Sequence, residues 1–196
     1  MNLDGSMPTY KLTLPEGKTW FDLQLEECSE KYLKSKIYAV IDCDGVITDG
    51  TSIYDGEKKF AKTYGSYDKE MTNFLSQSLG WEFMFVSDDK AGLDITRTRV
   101  EHLMKKNDRI HFANMNWKER LDHLKDMKLK VDFTVFVGDS LSDIPSMSVA
   151  DYAGCPNNSP DMVNPYCNYR SYLDGGHGGL ADILWNIHLM LKDHLK

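Results

Sequence analysis

Four aspartates in two short stretches, Asp42-Cys43-Asp44-Gly45 and Gly138-Asp139-Ser140-Leu141-Ser142-Asp143, are the residues of this sequence best suited to chemistry. Each stretch follows a short apolar run, Lys36–Ile41 and Phe133–Val137, that reads as a buried strand. In an open parallel sheet, ligand sites lie beyond the carboxyl ends of the strands, so the two acidic loops are expected to converge on one crevice. Like charges held close repel unless a cation sits between them, and convergence therefore predicts a metal. Oxygen ligands with no His or Cys among them favour Mg2+ over zinc. The plainer alternative is that Asp42 and Asp44 only end a strand and open a turn, as Asp and Gly routinely do. The second acidic stretch argues against it.

The elements that would position these acids alternate. Ile47–Tyr64 carries Thr-Asp-Gly and Tyr-Asp-Gly turn signals between alternating apolar residues and predicts a β-hairpin. Helices are expected over Asp68–Ser78, through the Leu93, Val100, Leu103 and Met104 face, over Trp117–Met127, near Asp143–Val149 and over Leu180–Leu195. Further strands are expected at 81–89, 109–113 and 151–155. Strands alternating with helices imply βαβ units and a parallel sheet covered on both faces. Residues 1–35 form a polar N-terminal extension with one helical stretch, Trp20–Leu33, expected to pack on a domain spanning 36–196.

The bulk composition narrows the function classes. With 41% hydrophobic and 27% charged residues the chain reads as globular, and its net charge of −7 argues against a general nucleic-acid binder. No apolar run reaches the roughly 20 residues that cross a bilayer, and the N-terminus lacks a basic region followed by an apolar one, so neither a membrane span nor a signal peptide is expected. Cys28, Cys43, Cys155 and Cys167 lack zinc-ligand spacing and are expected as reduced thiols of a cytoplasmic protein.

The stretch Asp42-Cys43-Asp44-Gly45-Val46-Ile47-Thr48-Asp49-Gly50 resembles the first motif of the haloacid dehalogenase (HAD) superfamily, in the extended form found in small, nearly capless phosphatases. Those phosphatases act on substrates such as 3-deoxy-manno-octulosonate 8-phosphate. Gly138 to Met147 resembles the fourth motif, and Gly175-Gly176-His177-Gly178-Gly179 a glycine-rich stretch near the C-terminus of that subclass. The resemblance covers about residues 36–192 and implies an α/β, Rossmann-like three-layer sandwich with a β-hairpin in place of a cap domain. It further implies hydrolysis of a small phosphorylated sugar or sugar acid, with a nucleotide or another sugar phosphate as the alternative. Asp42 would be the nucleophile and Asp44 the general acid and base. Mg2+ would be held by Asp42, the main-chain carbonyl of Asp44, Asp139 and, in support, Asp143. Ser87 and Lys118 would bind the phosphoryl group.

One departure stands out. The relatives commonly read Thr-Gly-Arg at the second motif, where this chain has Ser87-Asp88-Asp89. The change sets Asp88 beside an anion site, and Arg97 or Arg99 is then a candidate for the missing cation. Lys58, Lys59 and Lys62 of the hairpin could face a substrate too, or simply solvent. By the same resemblance the chain is expected to be a homo-oligomer, a tetramer, with His177 reaching a neighbouring subunit's site. Two rivals are a catalytically quiet oligomerisation domain, which has no need of all four acids, and a dehalogenase, which needs no metal.

Overall fold

The computed structural model describes residues 14–104 and 107–196. Six strands form one parallel sheet in the order β5-β4-β1-β6-β7-β8. They are β1 (Ile37–Asp42), β4 (Glu82–Ser87), β5 (Ile110–Asn114), β6 (Phe133–Val137), β7 (Tyr152–Cys155) and β8 (Tyr169–Arg170). The predicted hairpin is present as β2 (Thr48–Asp55) and β3 (Lys58–Tyr64), turning at Gly56 with φ 60°.

Every residue of β1 is buried because both faces of the sheet are covered, which explains its unbroken apolar run. Alternation along the strand sends Ile37, Ala39 and Ile41 into one core and Tyr38 and Val40 into the other. The first core is closed by α3 (Tyr67–Leu79), α4 (Leu93–Met104) and α7 (Gly179–His194), through Phe74, Leu75, Val100, Leu180, Ile183 and Ile187. The second is closed by α5 (Trp117–Lys128) and α6 (Ile144–Met147), through Leu124 and Met147. The result is the expected three-layer sandwich.

Three details differ from the sequence reading. The stretch from Trp20 is two helices, α1 (Trp20–Glu26) and α2 (Glu30–Lys34), because Ser29 caps the second through a 3.0 Å bond from Tyr32 N. Both pack on the domain: the Trp20 ring lies 5.0 Å from Trp185 and Tyr32 Oη 2.9 Å from His188 Nδ1. A 3-10 helix at Asp161–Tyr166 and the two-residue strand β8 had no sequence expectation. They are too short to show a period, and Pro165 stands inside the first. No helix among the described residues is long and apolar enough to cross a membrane.

The order of connections sets the position of the site. After β1 the chain builds outward on one side through β4 and β5, then returns to the other side of β1 with β6. The sequence direction thus reverses between β1 and β6, and a crevice opens there at the strands' carboxyl ends.

Candidate active site

The loop after β1 is shaped by its own main chain. Ile47 N and Thr48 N both donate to Cys43 O, at 3.0 and 3.2 Å, while Thr48 Oγ1 accepts from Gly45 N at 2.9 Å. Gly45 has φ 88°, and a Cβ there would lie 2.1 Å from Asp139 Oδ2. Glycine is needed twice over, for the left-handed backbone and for the approach of Asp139. From behind, a Cβ on Gly175 would lie 1.9 Å from Gly45 O, and Gly176 N donates to Val46 O at 3.1 Å. Asn158 joins the two segments, donating to Gly45 O at 3.2 Å and accepting from Gly175 N at 2.8 Å. The glycine-rich stretch is therefore a main-chain brace for the first acidic loop.

On the β6 side, Asp42, Asp139 and Asp143 bring carboxylate oxygens within 4.8 Å of one another. Asp143 is fully buried and closes its own loop, Oδ2 accepting from Asp139 N at 3.2 Å, Ser140 N at 3.0 Å and Ser140 Oγ at 2.7 Å. Arg120, from the buried face of α5, donates from the single atom Nη1 to Asp42 Oδ1 at 2.9 Å and to Asp143 Oδ1 at 2.5 Å. Its Nε is buried without a partner. Burial, then the charge of Asp143, pushes the Asp42 carboxyl well above the usual range, against the pull of Arg120. Burial and Asp143 likewise lift Asp139 to about 7. Three carboxylates facing one guanidinium leave negative charge uncompensated, and an all-oxygen donor set of this kind fits a hard divalent cation.

Across the crevice the arrangement is different. Asp44 turns its carboxylate away from the other acids: Oδ1 accepts from Lys62 Nζ at 2.5 Å and Oδ2 from Ser87 Oγ at 2.8 Å. The Lys62 side chain is wholly enclosed, and its ammonium also meets Asp89 Oδ2 at 2.8 Å and Thr96 Oγ1 at 2.7 Å. Burial would lower the Lys62 ammonium, but its bonds to Asp44 and Asp89 override this and raise it. Burial would lift Asp89, yet Lys59 and Lys62 hold it at about 2. Lys59 reaches Asp89 Oδ2 at 2.5 Å. Asp89 is thus matched by two lysines from the hairpin.

The crevice has a volume of about 250 Å³ and is lined by Asp42, Asp44, Asp88, Asp89, Arg120 and Asp139, with Ser140 and Ser142. Ser87 is buried beneath it and engaged with Asp44; Asp88 is exposed at its rim. Lys118 is not brought in: it is exposed, its ammonium 5.3 Å over the Trp117 ring. The physical reason is helical phase, since Arg120 and Leu124, four residues apart, share the buried face of α5, and Lys118 lies off it. Arg97 is also outside, 3.6 Å from Asp94 and 5.9 Å over Phe112. Arg99 donates to Gly65 O at 2.7 Å and ties α4 to the end of β3. His177 is exposed on a separate groove with Tyr67, Leu173 and Asp182. The sequence reading missed Arg120; its signal was an arginine in line with Leu124 and Met127 on an otherwise apolar stripe.

No protein-family model matches the chain, and no curated protein matches it in sequence. Solved structures do match. A cobalt-bound deoxy-D-mannose-octulosonate 8-phosphate phosphatase from Haemophilus influenzae is 20% identical, with a TM-score of 0.68 over 83% of this chain and 92% of that one. The 3-deoxy-D-manno-octulosonate 8-phosphate phosphatase of Moraxella catarrhalis, in complex with a magnesium ion, phosphate and the sugar acid, is 19% identical, with a TM-score of 0.66 over 89% and 94%. The Yersinia pestis enzyme of the same name is 17% identical, with a TM-score of 0.62 over 89% of each chain. The fold is the one these phosphatases share.

Proposed function

We propose that the chain is a Mg2+-dependent phosphomonoester hydrolase that works through an aspartyl-phosphate on Asp42. The observation that carries this reading is the convergence of Asp42, Asp139 and Asp143 within 4.8 Å, beside the buried guanidinium of Arg120. The three carboxylates would hold the cation, with the main-chain carbonyl of Asp44 joining them by resemblance. The bound ion supplies the positive charge that keeps Asp42 ionised against its burial and offsets the charge of the phosphate. Arg120, which lines the crevice and engages the two acids through Nη1 alone of its forked donors, is assigned the phosphoryl oxygens in place of Lys118. Asp42 attacks phosphorus, the ester oxygen leaves with a proton from Asp44, and Asp44 then takes a proton from the water that releases phosphate.

A small phosphorylated sugar or sugar acid is the proposed substrate class, supported by the activities of the structural neighbours. With no cap domain among the described residues, the hairpin or a second subunit must complete the pocket. Exposed Ile53, Tyr54 and Phe60 on the hairpin support a homo-oligomer, by resemblance a tetramer. A cytoplasmic setting accords with four unpaired cysteines. The test is hydrolysis of p-nitrophenyl phosphate with Mg2+ and with EDTA. Mg2+-dependent turnover is expected in the parent and background in Asp42→Asn; turnover retained by that variant removes the mechanism. A panel of phosphorylated sugars, sugar acids and nucleotides then ranks substrates by kcat/KM.

A further inference from the structure

We propose that Lys62 is a positioning residue for Asp44, an inference that rests on the hydrolase reading and deepens it. Asp44 is gripped at both oxygens, by Lys62 Nζ at 2.5 Å and by Ser87 Oγ at 2.8 Å. Lys62 is in turn fixed by Asp89 Oδ2 at 2.8 Å and Thr96 Oγ1 at 2.7 Å. An ammonium has three N–H donors, and three acceptors surround this one, so it has none left for an incoming phosphate. Its side chain is 0% exposed, which keeps substrate from it as well. A cation so enclosed acts on the crevice only through the carboxylate it holds.

The chemistry such a clamp would serve is the departure of the leaving group. As the Asp42 carboxylate forms its bond to phosphorus, the bond from phosphorus to the ester oxygen breaks. The electron pair left on that oxygen takes the proton of the Asp44 carboxyl. Asp44 is left as a carboxylate, held at its two oxygens by Lys62 and Ser87. Lys62, together with Ser87, fixes the orientation of the acid. Asp89 and Lys59 keep that ammonium in place, and Lys62 thereby takes part in the reaction without touching substrate. A Cβ on Gly92 would lie 2.5 Å from Asp89 Oδ2 and 2.6 Å from Lys62 Cε, so the network is packed to contact.

The experiment compares phenyl phosphate with p-nitrophenyl phosphate in the Mg2+-loaded protein. Nitrophenolate leaves readily without a proton, whereas phenolate, with a phenol pKa near 10, gains from one. In Lys62→Met, kcat/KM for phenyl phosphate is expected to fall roughly tenfold or more beyond any fall for the nitro ester, a share of the 10²–10⁴ that proton transfer supplies. Asp44→Asn should show the same discrimination, and adding Lys62→Met to it should change little further. Lys58→Met, which removes a charge from the exposed face of the same hairpin, should leave both esters unchanged. The ratio of the two esters does not depend on how much protein folds. Equal losses on both esters, or losses that multiply in the double variant, overturn the assignment of Lys62 and leave the hydrolase reading standing. Parent activity that survives Asp42→Asn overturns both.

Discussion

The two banks of the crevice each place a buried cation between two carboxylates, and they spend its donors differently. On one bank Arg120 serves Asp42 and Asp143 through Nη1 alone, one nitrogen of a five-donor fork that lines the crevice. On the other, Lys62 divides its ammonium among Asp44, Asp89 and Thr96. The arginine has capacity left for a ligand and the lysine has none. A guanidinium can bridge protein acids and still meet an anion in a forked geometry, while an ammonium with three partners is committed to the protein. The difference separates a phosphate-binding role from a positioning one.

The largest expected effect comes from emptying the first bank. Arg120→Met strands Asp42 and Asp143 without their cation, and loss of one partner from a buried ion pair costs about 3 kcal/mol or more. For a chain of this size that is about 6–12 °C in thermal midpoint, measured in EDTA. Mg2+ should recover part of the loss, since it would bind the same carboxylates. A midpoint within a degree of the parent would show that the guanidinium contributes nothing to holding these acids.

A second test uses pH. The folded Asp139 carboxyl, lifted to about 7, holds its proton more tightly than the unfolded chain, where the value is about 3.9. Between those values the folded state binds more protons, so its stability falls as pH rises from about 4 to about 7. Asp42, raised by burial, acts in the same direction. Thermal midpoints across this range should decline in EDTA and decline less with Mg2+, which favours the ionised carboxylates. A flat profile in EDTA would contradict the charge excess assigned to this bank. The smallest effect is expected from Lys118→Ala: kcat/KM for p-nitrophenyl phosphate within about twofold of the parent, as for most exposed side chains. A loss of activity comparable to that of Arg120→Met would instead return the phosphate-binding role to Lys118.

The sheet and its acids were legible in the sequence because β1, β4 and β6 are apolar runs long enough to show their nature, with aspartates punctuating two of them. Their cations were not. Arg120 lies in the charged helix Trp-Lys-Glu-Arg-Leu-Asp-His-Leu-Lys, where several basic residues compete and helical phase alone chooses among them. Lys62 stands two residues from exposed Phe60 in β3, so strand periodicity puts the two on one face and marks it as a surface residue. Its enclosure comes from Asp89 and Thr96, which are far away in sequence. Acids at strand ends announce themselves locally; the bases that answer them are selected by tertiary packing. The Asp89 departure illustrates this, since it looks like a lost cation until the hairpin is folded over it.

The main-chain contact between Gly45 and Gly175 has a temporal consequence. During synthesis the first acidic loop leaves the ribosome long before the glycine stretch that supports it, and the acids of β6 also precede that stretch. A nascent or truncated chain ending before residue 175 lacks both the backing that shapes the loop and α7, which closes the first core. Competence of the crevice would then arrive in one late step, and unfinished chains would carry the acidic residues without the means to use them.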